Sequence, residues 1–188
     1  RKNYTSEIYN LPDASDVILC GWVQEIRKLG NIAFLILRDR EGVAQITVMK
    51  NSIGNEKFRE ITGLNRESVI CVKGKINKNT QSKLGAEVIP DNVEILSVAE
   101  TPLPMGVIDR VSVDLETRLD VRFMDLRRPE ILSVFKIESN IGKSIRRKLE
   151  DEGFIEIHTP KIIATATEGG TELFRLKYFE KDAYLIQS

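Results

Sequence analysis

From residue 17 to residue 97 the apolar positions fall in short runs broken by turn signals. Residues 17–28, 31–38 and 43–50 each read as a strand. Gly30 and Asn31 mark the first break, and Asp39, Arg40, Glu41 and Gly42 form a hairpin-type turn at the second. Residues 55–62 carry Phe58 and Ile61 at helical spacing, and residues 68–77 and 87–97 return to strand. The texture changes after residue 98. The run Glu-Thr-Pro-Leu-Pro-Met-Gly at 100–106 can neither continue a helix nor make a good central strand. Pro129 then opens a stripe of Ile131, Leu132, Phe135, Ile141, Ile145 and Leu149 at three- and four-residue steps, which Gly153 stops. Residues 154–157, 174–179 and 183–187 read as three further strands.

Five strands with a short helix between the third and fourth is the order of an OB-fold barrel, a platform for single-stranded nucleic acid or oligosaccharide. The pattern therefore predicts a β-rich domain over residues 1–98, a hinge over 99–128 and an α+β region over 129–188. One amphipathic helix and three strands make a thin core, so this sheet is expected to continue past Ser188.

Composition narrows the function classes. The 28 basic and 28 acidic residues cancel, and they are spread evenly, 14 basic and 12 acidic up to Val98 and 14 and 16 after it. Neither part is a general polyanion binder. A hydrophobic share of 41% excludes a disordered chain, and no apolar run approaches the roughly 20 residues of a membrane helix. No leader pattern is present, so cytoplasmic residence is expected. Two isolated cysteines and one histidine cannot supply a zinc site, and Cys20 and Cys71 are expected in the core.

On an OB face, affinity comes from rings that stack bases, and specificity from amides, carboxylates and arginines that read base edges. Phe34, Gln45, Arg27 and Glu87 have the right chemistry. By composition alone Phe34 reads as core, because Ile32, Leu35, Ile36 and Leu37 around it are all apolar.

A series of segments in one order adds to this reading. Gly21, Trp22 and Val23 are followed by Phe34 and Leu35, then Leu-Arg-Asp-Arg-Glu-Gly-Val-Ala-Gln-Ile at 37–46 and Thr-Pro-Leu-Pro at 101–104. Thr-Arg-Leu-Asp at 117–120 and Arg-Phe-Met-Asp-Leu-Arg-Arg-Pro-Glu at 122–130 come next. Gly-Phe-Ile-Glu-Ile-His-Thr-Pro at 153–160 and Ala-Thr-Glu-Gly-Gly-Thr-Glu-Leu at 166–173 complete the set. Over nearly its whole length the chain resembles the aspartyl-tRNA synthetases of archaeal and eukaryotic type.

The resemblance implies an OB-fold domain that grips the anticodon, a hinge, and the beginning of a class II synthetase antiparallel catalytic domain. The implied reaction is attack of the aspartate carboxylate on the α-phosphorus of ATP, with Mg²⁺, followed by transfer to tRNA(Asp), with tRNA(Asn) as a second acceptor left open. It implies that Phe34 stacks on the central anticodon base, that Gln45 and Glu87 read base edges, and that Arg27 supports a base or phosphate. Lys83 falls where archaeal relatives set tolerance for tRNA(Asn), and a lysine there resembles the tolerant type. Gln24 stands where that tolerant pattern carries a tryptophan. Glu168 matches the loop carboxylate that binds the ammonium of aspartate, and Pro160 matches the hallmark of motif 1, the homodimer element. Motifs 2 and 3, which hold ATP, are absent from these residues, so no catalytic residue is assigned and the chain alone is expected to make no adenylate. An asparaginyl-tRNA synthetase and a non-catalytic OB-fold tRNA-binding module remain as alternatives.

Overall fold

A computed structural model of the chain describes residues 2–78, 82–109, 111–164 and 174–186. A 3₁₀ turn (Thr5–Tyr9) precedes β1 (Asp16–Leu29), β2 (Ile32–Arg38) and β3 (Val43–Met49). Two short helices follow, α1 (Lys50–Ile53) and α2 (Asn55–Thr62), then β4 (Val69–Asn77) and β5 (Glu87–Ser97). The five strands close into a barrel in the order β1-β2-β3-β5-β4, as the pattern predicts. Every neighbouring pair in the barrel is antiparallel except β3 with β5, which run parallel and set Gln45 beside Glu87.

Closure follows from the strand pattern. Val17, Leu19, Val23, Ala33, Leu35, Leu37, Ile46, Ile70 and Val72 alternate into one interior, which Phe58 and Ile61 of α2 also enter. Two glycines stand where backbones crowd. A Cβ on Gly21 would lie 2.3 Å from the Arg38 carbonyl oxygen, and one on Gly74 would lie 2.2 Å from that of Ile89. The register slips once in β1, between Val23 and Glu25, leaving Gln24 as a bulge. Cys20 and Cys71 differ from expectation. They oppose each other across β1 and β4 on the outer face, half-buried, because the alternation gives the interior to Leu19 and Ile70. Burial and the Cys20 hydrogen bond push the Cys71 thiol up to about 11.

Residues 1–132 form one compact unit and residues 133–188 a second. The stretch expected to act as a hinge is therefore a folded segment of the first unit. It contains α3 (Leu115–Asp120) and α4 (Arg122–Asp125), and Met105, Val107 and Met124 form a small apolar cluster of their own. Asp114 caps α3 by accepting from the Thr117 N–H at 2.9 Å, and this bond holds its carboxyl below the usual range. Asp125, fully buried, accepts two bonds from Arg118. The Glu67 carboxylate accepts from Arg38 at 2.7 and 2.9 Å and from Arg127 at 3.0 Å, and the Arg127 guanidinium lies 4.4 Å from the Trp22 ring. Glu67 itself adopts φ +67°, a left-handed conformation that few non-glycine residues take.

α5 (Pro129–Asp151) is the long helix the apolar stripe predicts. It ends at Gly153, φ +87°, with the Phe154 N–H returning to the Leu149 carbonyl at 3.0 Å. The expected strand at 154–157 is absent: those residues are irregular and exposed, and no strand among the described residues pairs with them. The second unit instead contains a three-stranded sheet in the order β6-β8-β7, from β6 (Ile162–Ile163), β7 (Arg175–Tyr178) and β8 (Lys181–Leu185). The last two correspond to the strands expected at 174–179 and 183–187.

Candidate nucleic-acid interface

The outer face of β1, β2 and β3 owes its composition to the bulge. Up to Val23 the odd-numbered residues of β1 point into the barrel; beyond Gln24 the parity is reversed, and Ile26 packs on the core while Glu25 and Arg27 face outward. Arg27 then opposes Phe34, which opposes Thr47 on β3; Glu25 opposes Ile36, which opposes Gln45, and Gln45 is beside Glu87 on β5. These side chains, with Ser82, Lys83 and Leu84 from the loop before β5, line an open groove of about 710 Å³.

Phe34 is half-buried on this face, whereas Ala33, Leu35 and Leu37 take the interior. Its ring is therefore a groove residue and not core. Gln45 donates from Nε2 to Glu87 Oε2 at 2.8 Å and accepts at Oε1 from Ser82 Oγ at 3.1 Å. Glu87 accepts further bonds from Thr47 Oγ1 at 2.5 Å and from Asn77 Nδ2 at 2.9 Å. A carboxylate so surrounded keeps a fixed direction, and an acceptor is what remains for a ligand. Glu25 and Glu87 balance Arg27 and Lys83, so the groove has no excess of one charge. Its chemistry suits flat rings with hydrogen-bonding edges: Phe34 would stack one, and Gln45 and Glu87 would read edges.

Of the residues proposed from sequence, the structure thus brings Phe34, Gln45, Glu87, Arg27 and Lys83 into one groove. Gln24 is not among the lining residues; it forms the bulge, and its Oε1 is buried with no hydrogen-bond partner among the described residues. Pro160 lies in the exposed irregular stretch after α5. Glu168 lies outside the described residues. Thr47, Asn77 and Ser82 were not anticipated. Thr47 could have been found from its two-residue spacing to Gln45, which puts both on one face. Asn77 could not, because its role follows from its pairing with Glu87 at the end of β4. Among the described residues no three His, Cys, Asp or Glu side chains are grouped to hold a metal, and no helix is long and apolar enough to cross a membrane.

Comparison with known proteins agrees with the fold. Residues 17–96 match the family of OB-fold nucleic acid binding domains, and residues 114–188 match the tRNA synthetases of class II (D, K and N). The chain is 52% identical over 188 residues to an aspartate–tRNA(Asp) ligase of Pyrococcus horikoshii and 49% identical over the same length to an aspartate–tRNA(Asp/Asn) ligase of Methanococcus aeolicus. Each alignment covers 100% of this chain and 43% of the relative. Among solved structures, an asparaginyl-tRNA synthetase of Pyrococcus horikoshii complexed with asparaginyl-adenylate superposes with a TM-score of 0.88 at 32% identity, over 100% of this chain and 43% of that one. The chain spans less than half the length of the curated relatives it matches.

Proposed function

We propose that the chain is the tRNA-recognising part of an aspartate–tRNA ligase, an enzyme that activates aspartate with ATP and Mg²⁺ and esterifies it to tRNA(Asp). Residues 1–98 bind the anticodon, 99–128 join the two regions, and 129–188 begin the catalytic domain. The observation that carries this reading is the convergence of Phe34, Gln45 and Glu87 in one groove of an OB barrel. Identity near 50% to curated aspartate ligases over the whole chain supports the choice of amino acid. The 32% likeness to an asparaginyl enzyme reflects shared architecture. Phe34 stacks on the central base, Gln45 and Glu87 read edges, Arg27 supports a base or phosphate, and Lys83 and Gln24 influence the tolerance for tRNA(Asn). Glu168 binds the ammonium of aspartate, and Pro160 belongs to a homodimer element. The setting is cytoplasmic. ATP and Mg²⁺ are held by motifs these residues do not include.

The test is titration of the 188-residue chain with tRNA(Asp) transcripts carrying an intact or scrambled anticodon, at one fixed salt concentration because phosphate contacts alone can mimic affinity. Clear preference for the intact anticodon is expected. Phe34→Ala should weaken binding by about 1 to 3 kcal/mol, the range of one stacked base. Equal binding of both transcripts would overturn the reading. A tRNA(Asn) transcript in the same series reports the tolerance.

A further inference from the structure

Thr47 is 7% exposed, opposes Phe34 on the neighbouring strand, and has its hydroxyl among the polar groups of the groove. Its hydrogen bonds are fully determined by its neighbours. An ionised Glu87 can only accept, so the Thr47 O–H donates to Glu87 Oε2 at 2.5 Å. The same oxygen then accepts from Gln45 Nε2 at 3.3 Å. That bond, with the one from Nε2 to Glu87, fixes which way the Gln45 amide points: turned over, its Oε1 would face the carboxylate, acceptor against acceptor. Ser82 Oγ takes the other end of the amide by donating to Oε1. Asn77 Nδ2 takes the second carboxylate oxygen at 2.9 Å. The bond to Glu87 uses the one hydroxyl proton, so none is left to donate to a ligand.

We infer that Thr47 is a positioning residue for base discrimination: it aims the Glu87 carboxylate and the Gln45 amide so that acceptors face the groove, selecting a base edge that offers N–H donors. This rests on the reading of the groove as the anticodon site. Guanine presents such an edge, with donors at N1 and N2; adenine presents one acceptor and one donor, and inosine lacks the N2 amino group. Thr47→Val keeps the branched shape and removes the hydroxyl. Without it Glu87 loses one of the three restraining bonds named above and Gln45 Nε2 loses one of its two acceptors, while the Phe34 ring is untouched.

The experiment is a fluorescence anisotropy titration of the 188-residue chain with anticodon stem-loops of aspartate tRNA in which the anticodon guanine is kept or replaced by inosine or adenine. Thr47→Val should reduce the guanine-over-adenine preference about tenfold and the guanine-over-inosine preference less, with a smaller change in affinity for the adenine loop. Thr47→Ser, which retains the hydroxyl, should restore the preference. A melting curve checks that the variants fold, and Thr47→Ala replaces Thr47→Val if the latter does not. Unchanged preference in the variant lacking the hydroxyl, while Phe34→Ala still loses affinity, overturns the role of Thr47 and leaves the groove as the anticodon site. Equal loss in Thr47→Ser and Thr47→Val also overturns it, since the hydroxyl is then not the cause. If Phe34→Ala and Thr47→Val both bind every loop like the parent, the groove is not the reader and both readings fall.

Discussion

In the barrel, eighteen apolar side chains from five strands, the 3₁₀ turn, α2 and the loop before β5 lie at 2% exposure or less. In residues 133–188, Ala183 is the one buried apolar residue among those described, and Val134, Phe135, Ile137, Ile141, Ile145 and Leu149 along α5 remain between 38% and 60% exposed. Both regions follow their hydrophobic periodicity, so the difference is not one of pattern quality. A sheet that closes on itself supplies both walls of its own core. An amphipathic helix supplies one wall and depends on whatever covers it. The barrel can thus hold a groove at fixed geometry, whereas the apolar stripe of α5 and the exposed Phe154, Ile155 and Ile157 after it describe a surface that needs a cover.

The sharpest way to break that contrast is to open the barrel. Leu35→Ala removes a side chain with no exposure and should cost about 4 kcal/mol in urea denaturation followed by Trp22 fluorescence. A cost below about 1 kcal/mol would mean the barrel interior is not packed as described. Glu67→Gln comes next, at about 3 kcal/mol, because it takes away the counterion of Arg38, whose side chain is 6% exposed and whose Nη1 has no hydrogen-bond partner among the described residues. The same denaturation series reads it, and an Arg127→Ala background should reduce the effect only slightly, since Arg127 is the more exposed partner. The smallest effect belongs to the second unit. Ile141→Ala should shift the helical CD transition by less than about 0.5 kcal/mol, because the side chain is more than half exposed and alanine is the better helix former. A cost comparable to that of Leu35→Ala, increasing with protein concentration, would show that a second copy covers this face in solution.

The strands, α2 and α5 were legible because their periods of 2 and 3.6 are local properties, and the deviations have local causes as well. Residues 154–157 alternate in the sequence like a strand, yet a strand exists only where a neighbour accepts its backbone bonds, and the described residues supply none there. The segment 99–128 has the prolines of a hinge, but Arg127 anchors it to Glu67, an attachment between residues 60 apart that no window of sequence contains. Cys20 and Cys71 lie in apolar runs, and only strand parity reveals that they face outward.

The residues themselves determined the β-barrel order, the long helix and its stop at Gly153, and the polar and aromatic types available for a base-binding face. Tertiary structure decided where those types ended up. The bulge at Gln24 turned Glu25 and Arg27 outward, the side β2 turns to the core took Ala33, Leu35 and Leu37 and left Phe34 half-buried in the groove, and the parallel pairing of β3 with β5 joined Gln45 to Glu87 across 42 positions. Side-chain alternation is set within a few residues of chain. Register and pairing are set by how five strands must slip to close a circle, and that condition involves all of them at once.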